Sequence, residues 1–528
     1  GTVIAVTVLS GDPKEYAACP FCISGTCKRE DGTTRSKLLS TSVEAVTATS
    51  GPARILYYIA SDGAANQRTA VCKITLTKKL TEEHELYQTL GILSLFDIHC
   101  GDNFITCDFD WKHILKRFRN TLLRMKGLSI HGMVITVEVI KFHLVMGSRM
   151  KEETATLLLN ALDRQNVCLM VRLLNALAAL PELPNSAAPT VRTTRRILHL
   201  LGQLYRHLLD AYLDVKASLS QQLTSLSAAA HIVLALYNEN KGGFIPVQLC
   251  FDFMSMVKNA YFCVAKVQLH NPGGKFWVIL LGTDSLEKVF GMVCSMIGNN
   301  CNVDQLQLTQ RIDGATHCVN ILAEHPEWGG ESRRLHVKSI SEAEDSEVSS
   351  KYDHLNPRSW VGDVEVRKMV LLTCWEEGCE QAEMELNDAG VNIPFEMMRE
   401  TGGFNTLCPL SSGKMILIDD LSLGEENEEE DEAYGYNGPD PDSAPTDTSP
   451  IPFPSEPPQL SELDDSELDP GMEAEMADKE STENGTKSAK HEAWVLINEG
   501  VDKHAHKETV LRLYSTPFHY SDSSDRLF

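Results

Sequence analysis

The sequence lacks the motifs that assign a function at a glance. It has no P-loop: Asn271-Pro272-Gly273-Gly274-Lys275 has neither the spacing nor the following Ser or Thr that cradles a nucleotide phosphate. No second Cys pair or His pair stands at zinc-finger distance from Cys19-Pro20-Phe21-Cys22 and Cys27, so a zinc site is not expected there. The 15 cysteines are otherwise scattered. Cys168, Cys250, Cys263 and Cys294 sit in apolar runs, as buried thiols do in a reducing compartment. No stretch reads as a transmembrane helix. The opening run Thr2-Val3-Ile4-Ala5-Val6-Thr7-Val8-Leu9 is too short to span a bilayer and has no basic segment before it, so neither an anchor nor a signal peptide is expected. It reads as an internal strand whose partner lies upstream.

What is present is length and a lopsided charge. The 528 residues suffice for two or three domains with a large core. The net charge is −25, but residues 425–483 hold 21 Asp and Glu against one Lys, a local charge of −20. Removing that segment leaves −5, near neutrality for a chain of this size, so composition does not exclude nucleic-acid binding. The segment 424–487 is also rich in Pro and Ser and is expected to be disordered. Ser461-Glu462-Leu463-Asp464 and Ser466-Glu467-Leu468-Asp469 repeat within it, as an interaction or phosphorylation segment would. The sequon Asn484-Gly485-Thr486 is read as coincidental.

Taken in order, residues 1–62 predict strand, strand, helix, strand: Thr2–Leu9, Phe21–Ser24, Lys37–Val46 and Arg54–Ser61. The last runs directly into Asp62-Gly63-Ala64-Ala65-Asn66-Gln67. An acid at the carboxyl end of an internal strand is where α/β enzymes place metal ligands and catalytic groups; on this stretch alone an Asx-turn or a helix cap is the simpler reading, since Asp-Gly is a common turn signal. Residues 81–96 predict a helix, and Phe104–Asp110 a second strand tipped by acid. Trp111–Lys126 then predicts a helix with Ile114, Leu115, Phe118, Leu122 and Met125 on one face. Its basic residues Lys112, Lys116, Arg117, Arg119, Arg124 and Lys126, without a single acid, suit a phosphate backbone or, equally, a solvated helix face. Residues 150–240 predict an all-α module broken by Pro181, Pro184 and Pro189. After the apolar run Phe276–Leu281, Thr283 or Asp284 is expected to cap a helix, with Glu287 on the same face as Asp284. A further helix is expected over Val361–Cys374, and Trp494–Ile497 with Glu508–Tyr514 is expected to begin another folded element.

Three of these segments together resemble P-element-type DNA transposases. Asp62-Gly63-Ala64-Ala65-Asn66-Gln67 resembles the region of that family's second catalytic aspartate. Asp110-Trp111-Lys112-His113-Ile114-Leu115-Lys116-Arg117-Phe118-Arg119-Asn120 resembles its Asp-x-x-His-(Leu/Ile)-(Leu/Ile)-Lys-x-x-Arg-Asn motif. Asp284-Ser285-Leu286-Glu287-Lys288-Val289-Phe290-Gly291 resembles its Asp-x-Leu-Glu-x-Phe-Phe-Gly motif, which carries the last catalytic acid. Proteins of basidiomycete fungi that derive from such elements are similar as well. The resemblance covers roughly residues 1–330.

It implies a ribonuclease-H-like mixed sheet, α/β in class, lacking its first strand, with a large all-α insertion and a disordered acidic tail. The implied division is 1–140 for the first part of the core, 141–270 for the insertion and 271–330 for the completion of the core. A mixed region (331–423), the acidic tail (424–487) and a truncated element (488–528) follow. Asp62 and Glu287 are implied as catalytic metal ligands for Mg²⁺ or Mn²⁺, with Asp110, His113 and Asp284 secondary, in the cutting and joining of DNA in the nucleus. The family's first catalytic Asp and its amino-terminal zinc-binding DNA reader have no counterpart here, so the chain is expected to be inactive as given. GTP, which family members bind in the insertion, has no matching loop. The alternative is a non-catalytic, transposase-derived nuclear protein that binds DNA or protein; a third is a helical scaffold in which the motifs coincide by chance.

Overall fold

The computed structural model describes residues 2–325 except 26–29, 51–54, 149, 162–166, 184–186 and 297–304, together with 357–391, 395, 494–498 and 502–506. Residues Gly1–Tyr434 cluster as one unit and Gly435–Phe528 as a second. Cys27, the Ser-Glu-Leu-Asp repeat, the sequon, the expected disorder of 424–487 and the Glu508–Tyr514 segment all lie outside the described residues.

The first unit opens with strand β1 (Thr2–Val6), a short helix α1 (Pro13–Tyr16) and β2 (Cys19–Ser24), which pairs antiparallel with β1. Helix α2 (Gly32–Ser50) leads to β3 (Tyr58–Ser61), and α3 (Ala65–Thr75) packs back on α2. Strands β4 (Lys78–Lys79) and β5 (His99–Cys100) flank α4 (Tyr87–Leu90). The helix expected over 81–96 is thus a series of turns around one short helical segment. Leu86, Leu90, Leu93, Leu95, Phe96 and Ile98 are all buried, and a single helical face cannot bury so dense a set. Strand β6 (Thr106–Phe109) lies parallel to β3, with Ser61 opposite Phe109. Helix α5 (Trp111–Leu122) follows, then the hairpin β7 (Leu128–Ile130) and β8 (Met133–Ile135).

From residue 137 the chain is helical: α6 (Val137–Ser148), α7 (Glu152–Leu158), α8 (Val167–Ala178), α9 (Pro189–Leu213), α10 (Leu219–Asn240) and α11 (Val247–His270). Helices α12 (Asp284–Ser295) and α13 (Gln305–Glu324) pack together, with a small core around Val289, Val293, Leu308 and Ala315. Helix α14 (Leu371–Ala389) lies against α10. The helix expected over Val361–Cys374 therefore starts ten residues later than its first predicted residue, after a stretch pinned by other backbone: Val361 N–H and Gly362 N–H donate to Val215 O. In the second unit β9 (Trp494–Asn498) and β10 (Asp502–His506) form an antiparallel hairpin.

The architecture is mixed α/β, mostly helical, and among the described residues the strands form five two-stranded sheets in place of one mixed sheet. One expectation needs correction. Helix α10 with the turn after it, Leu219–Gly243, is long and apolar enough to cross a membrane. Its apolar side chains are buried inside the protein, the position of a core helix.

Helix α11 is the centre of the packing. Its apolar residues Phe253, Met254, Val257, Tyr261, Phe262 and Val264 are buried among its neighbours. Trp375 of α14 packs edge-on against Tyr261 and Phe96, and its indole N–H donates to Ser94 O at 2.8 Å. A polar stripe at helical spacing (Asp252, Ser255, Asn259, Lys266) is buried as well. Asn259 Oδ1 accepts from Thr106 Oγ1 of β6 at 2.7 Å, and Lys266 Nζ donates to Tyr57 O, just before β3, at 2.6 Å. Asp252 accepts from Arg68 Nε and Nη2 at 2.7 and 2.8 Å and from Arg117 Nη1 at 2.5 Å. On a neighbouring side of α11, Lys258 pairs with buried Asp97 at 2.7 Å.

Breaking a buried pair from one side leaves uncompensated charge, a cost of about 3–5 kcal/mol. Asp252→Ala is therefore expected to lower the unfolding free energy by about that much in urea titrations, and Asp252→Asn by less. Burial also lowers the Lys266 ammonium to about 8. Between that value and the ordinary ~10.4 the unfolded chain holds a proton that the folded chain has released, so this group makes stability rise with pH there. The difference in stability between wild type and Lys266→Met should grow by about 1.4 kcal/mol per pH unit from pH 8 to 10. Parallel curves would contradict the assignment.

Candidate metal centre at the strand ends

Strands β3 and β6 end side by side: Asp110 N–H donates to Ser61 O, so Asp62 and Asp110 leave the sheet at neighbouring positions. The two acids differ in environment. Asp62 is exposed, and its Oδ1 accepts from Ala64 N at 3.3 Å, the Asx-turn that an Asp-Gly sequence favours. The following Gly63 adopts φ +90°. Its carbonyl accepts from Arg68 Nη2 at 2.6 Å, and a Cβ there would come within 3.0 Å of Asp252 Oδ2. The Arg68–Asp252 pair thus fixes the loop that carries Asp62.

Asp110 is fully buried and caps α5, its Oδ1 accepting from Lys112 N and His113 N at 2.9 and 3.2 Å. The helix is then anchored by its apolar face. Trp111 stacks on Tyr212 of α9 with ring centres 4.9 Å apart, and Phe118 meets Tyr205 and Phe253.

The turn into α12 is held from below by β6. Gly282 N donates to Asp108 Oδ2 at 2.8 Å and Thr283 N to Asp110 Oδ2 at 3.2 Å. Gly282 adopts φ +96°, and a Cβ would lie 2.7 Å from Asp110 Oδ2. Thr283 caps α12 by position, with no side-chain capping bond; its hydroxyl donates to Glu287 Oε1 at 3.0 Å. Asp284, expected as a cap, is instead buried between Lys112 and Lys288. Burial alone would raise its carboxyl, but the two lysines hold it well below the usual carboxylate range.

This arrangement brings Asp110, His113 and Glu287 together, with one ligand atom from each within 4.8 Å of the others. His113 Nε2 lies 3.4 Å from Glu287 Oε1. Burial and the Glu287 charge raise the Asp110 carboxyl, while the His113 hydrogen bond lowers that of Glu287. Asp62 stands outside the group. The donors suit a divalent cation. The Thr283 hydroxyl has one proton and lies nearer Glu287 than Asp110, where the separation is 3.4 Å. Asp110 Oδ2, with the Thr283 N–H as its other partner, keeps a lone pair for a ligand. Asp110 forms the buried floor, and His113 and Glu287, their side chains 34% and 41% exposed, form the open rim.

The basic residues of α5 divide differently from a solvated stripe. Lys112 is engaged by Asp284, and Arg117 by Asp252. Arg119 is buried, donating to Leu158 O and Asn160 O, and Arg124 is nearly buried. Lys116 is part-exposed, and burial lowers its ammonium. Lys126, past the end of the helix, is exposed. Arg119 follows Leu115 by four and precedes Leu122 by three, so helical spacing already placed it on the apolar face. Asp108, Arg68 and Asp252 carried no motif, and only their pairing in space reveals them.

No protein-family model and no curated protein matches this sequence. Among solved structures, the chain is similar to the Drosophila P element transposase strand transfer complex with a TM-score of 0.36 and 18% identity, over 56% of this chain and 65% of that one. It thus spans just under two thirds of that chain, and a likeness of this size establishes neither family nor fold.

Gly282→Ala tests whether the turn sets the centre. The positive φ costs of order 1–3 kcal/mol for a non-glycine residue, and the close approach to Asp110 adds to it. Loss of at least about 1 kcal/mol in thermal or urea unfolding is expected.

Proposed function

We propose that this is a transposase-like protein that uses a divalent-metal centre at the ends of β3 and β6 for phosphodiester chemistry on DNA. The observation that carries the reading is the convergence of Asp110, His113 and Glu287 from two helix starts far apart in sequence. The three sequence motifs that resemble P-element-type transposases supply the loop of Asp62, the start of α5 and the start of α12. On this reading the two ribbons β1–β2 and β3–β6 belong to a ribonuclease-H-like core, interrupted by the α6–α11 block before its final glutamate.

Asp110, His113 and Glu287 would hold the cation, with Asp62 on the neighbouring strand end acting on substrate. A divalent ion so held supplies positive charge to the attacked phosphate and lowers the pKa of bound water. The protein's own part is to fix the carboxylates before substrate arrives: Asp108 and Asp110 clamp the turn, Thr283 orients Glu287, and the Arg68–Asp252 pair sets the Asp62 loop. Lys116 and Lys126 are the α5-region cations best placed by exposure to meet the DNA backbone.

A second reading is a transposase-derived protein that binds DNA or protein without chemistry. The engagement of Lys112, Arg117 and Arg119 inside the fold leaves α5 with little basic surface, which favours a protein partner over DNA within this reading.

Fluorescence anisotropy with duplex DNA tests both. Mn²⁺ is expected to raise DNA affinity at least about tenfold, and Glu287→Gln to remove that gain. No metal-dependent change would overturn the metal-centre reading. Nicking of supercoiled plasmid in Mn²⁺, abolished by Glu287→Gln and by Asp62→Asn, supports the catalytic reading; binding without nicking supports the second.

A further inference from the structure

The donor set at this centre is mixed, and that bears on which ion it takes. We propose that His113 makes it a nitrogen–oxygen site that prefers Mn²⁺ and its transition-metal neighbours to Mg²⁺, built from Asp110, His113 and Glu287 without Asp62. This rests on the metal-centre reading above and goes beyond it, because a strand-end acid pair alone would be an all-oxygen site.

The argument is chemical and geometric. Mg²⁺ is a hard ion that keeps an octahedral shell of oxygen, much of it water, and gains little from an imidazole. Imidazole nitrogen suits the later ions from Fe²⁺ to Zn²⁺ best; Mn²⁺, the first of that series, gains less from it than they do but more than Mg²⁺ does. Here the imidazole is held where it must be counted. Its backbone N–H is bound by the Asp110 cap, so the first turn of α5 sets its position, and its Nε2 lies beside Glu287 Oε1. The carboxylates have specific restraints as well. Thr283 Oγ1 orients Glu287, and the β6 clamp through Gly282 and Thr283 sets the start of α12. Supports of this kind, one shell behind the ligands, fix ligand orientation and typically contribute 10–100-fold in metal affinity. Asp62 takes no part in the trio, and its Oδ1 accepts from the backbone of its own turn.

Isothermal titration of the full chain with MnCl₂ and with MgCl₂, followed in parallel by tryptophan emission from Trp111 next to Asp110, decides the matter. Mn²⁺ is the better probe than Zn²⁺, because the chain's many thiols would bind zinc elsewhere. Wild type is expected to bind one Mn²⁺ at least about tenfold more tightly than Mg²⁺. His113→Ala should cut Mn²⁺ affinity at least about tenfold and leave Mg²⁺ affinity nearly unchanged, erasing the preference. Asp62→Asn should change neither. His113→Glu serves as the check on folding: its longer side chain brings an oxygen to about the reach of Nε2, so binding should persist with the preference for Mn²⁺ lost.

Equal affinities for Mn²⁺ and Mg²⁺ in wild type, or an undiminished Mn²⁺ preference in His113→Ala, would overturn the selectivity while leaving a metal centre in place. Loss of Mn²⁺ binding in Asp62→Asn with none in His113→Ala would move the ion to the other strand end and overturn the assignment of ligands. Absence of binding of either ion to wild type would overturn the metal-centre reading itself.

Discussion

Asp252, on the central buried helix α11, holds two guanidiniums at once. Arg68 comes from the helix that follows β3, and Arg117 from the helix that follows β6. Desolvating three charges is costly, and replacing them with apolar residues would give an equally dense core. What the triad provides is register. A carboxylate between two fixed guanidiniums admits one geometry, whereas apolar surfaces slide. It locks the helical block to both parallel strands beside the point where their acids emerge, and through the Gly63 carbonyl it also sets the turn of Asp62.

The strand-end centre is built by the same kind of polar fixing. Asp108 and Asp110 receive the two N–H groups of the Gly282–Thr283 turn, and Asp284 is held between Lys112 and Lys288. Helix α12 is thereby attached to β6 and α5 by directional bonds at its first turn, while its apolar face packs on α13 and the β1–β2 ribbon. Glu287 stands where it does because Thr283 and Asp284, one turn before it, and Lys288 beside it are held by hydrogen bonds and ion pairs. The group is thus hydrogen-bonded at its base and open at its rim.

Several of these features were legible in residue order. Strand followed by acid described both Asp62 and Asp110, and the Thr283-Asp284 signal placed the start of α12 within a residue. The 3.6-residue period gave α5 its buried face as far as Leu122; Met125, expected on that face, lies past the helix end and is exposed. The long apolar stretches after residue 150 gave a helical block. Other features were not legible. The 81–96 segment mimicked an amphipathic helix because its leucines are spaced for one, yet they are buried on all sides. Arg119 and Arg124 carry charge but lie where the chain's own helical spacing turns them inward. An acid beside a lysine three or four residues away reads as a cap or a solvated pair, and nothing local says that Asp284 is enclosed by Lys112, 172 residues upstream.

By itself the sequence determined which residues could act: the order of acid-tipped strands, the single histidine on the first turn of α5, and the helix start that carries Glu287. Periodicity and capping are local, and local physics is written in neighbouring residues. Which of those groups meet was decided only in three dimensions. Asp110, His113 and Glu287 converge, Asp62 turns back on its own backbone, and Asp252 joins two arginines. These outcomes depend on which charges lose water together when distant segments pack, and no short window of sequence contains that information.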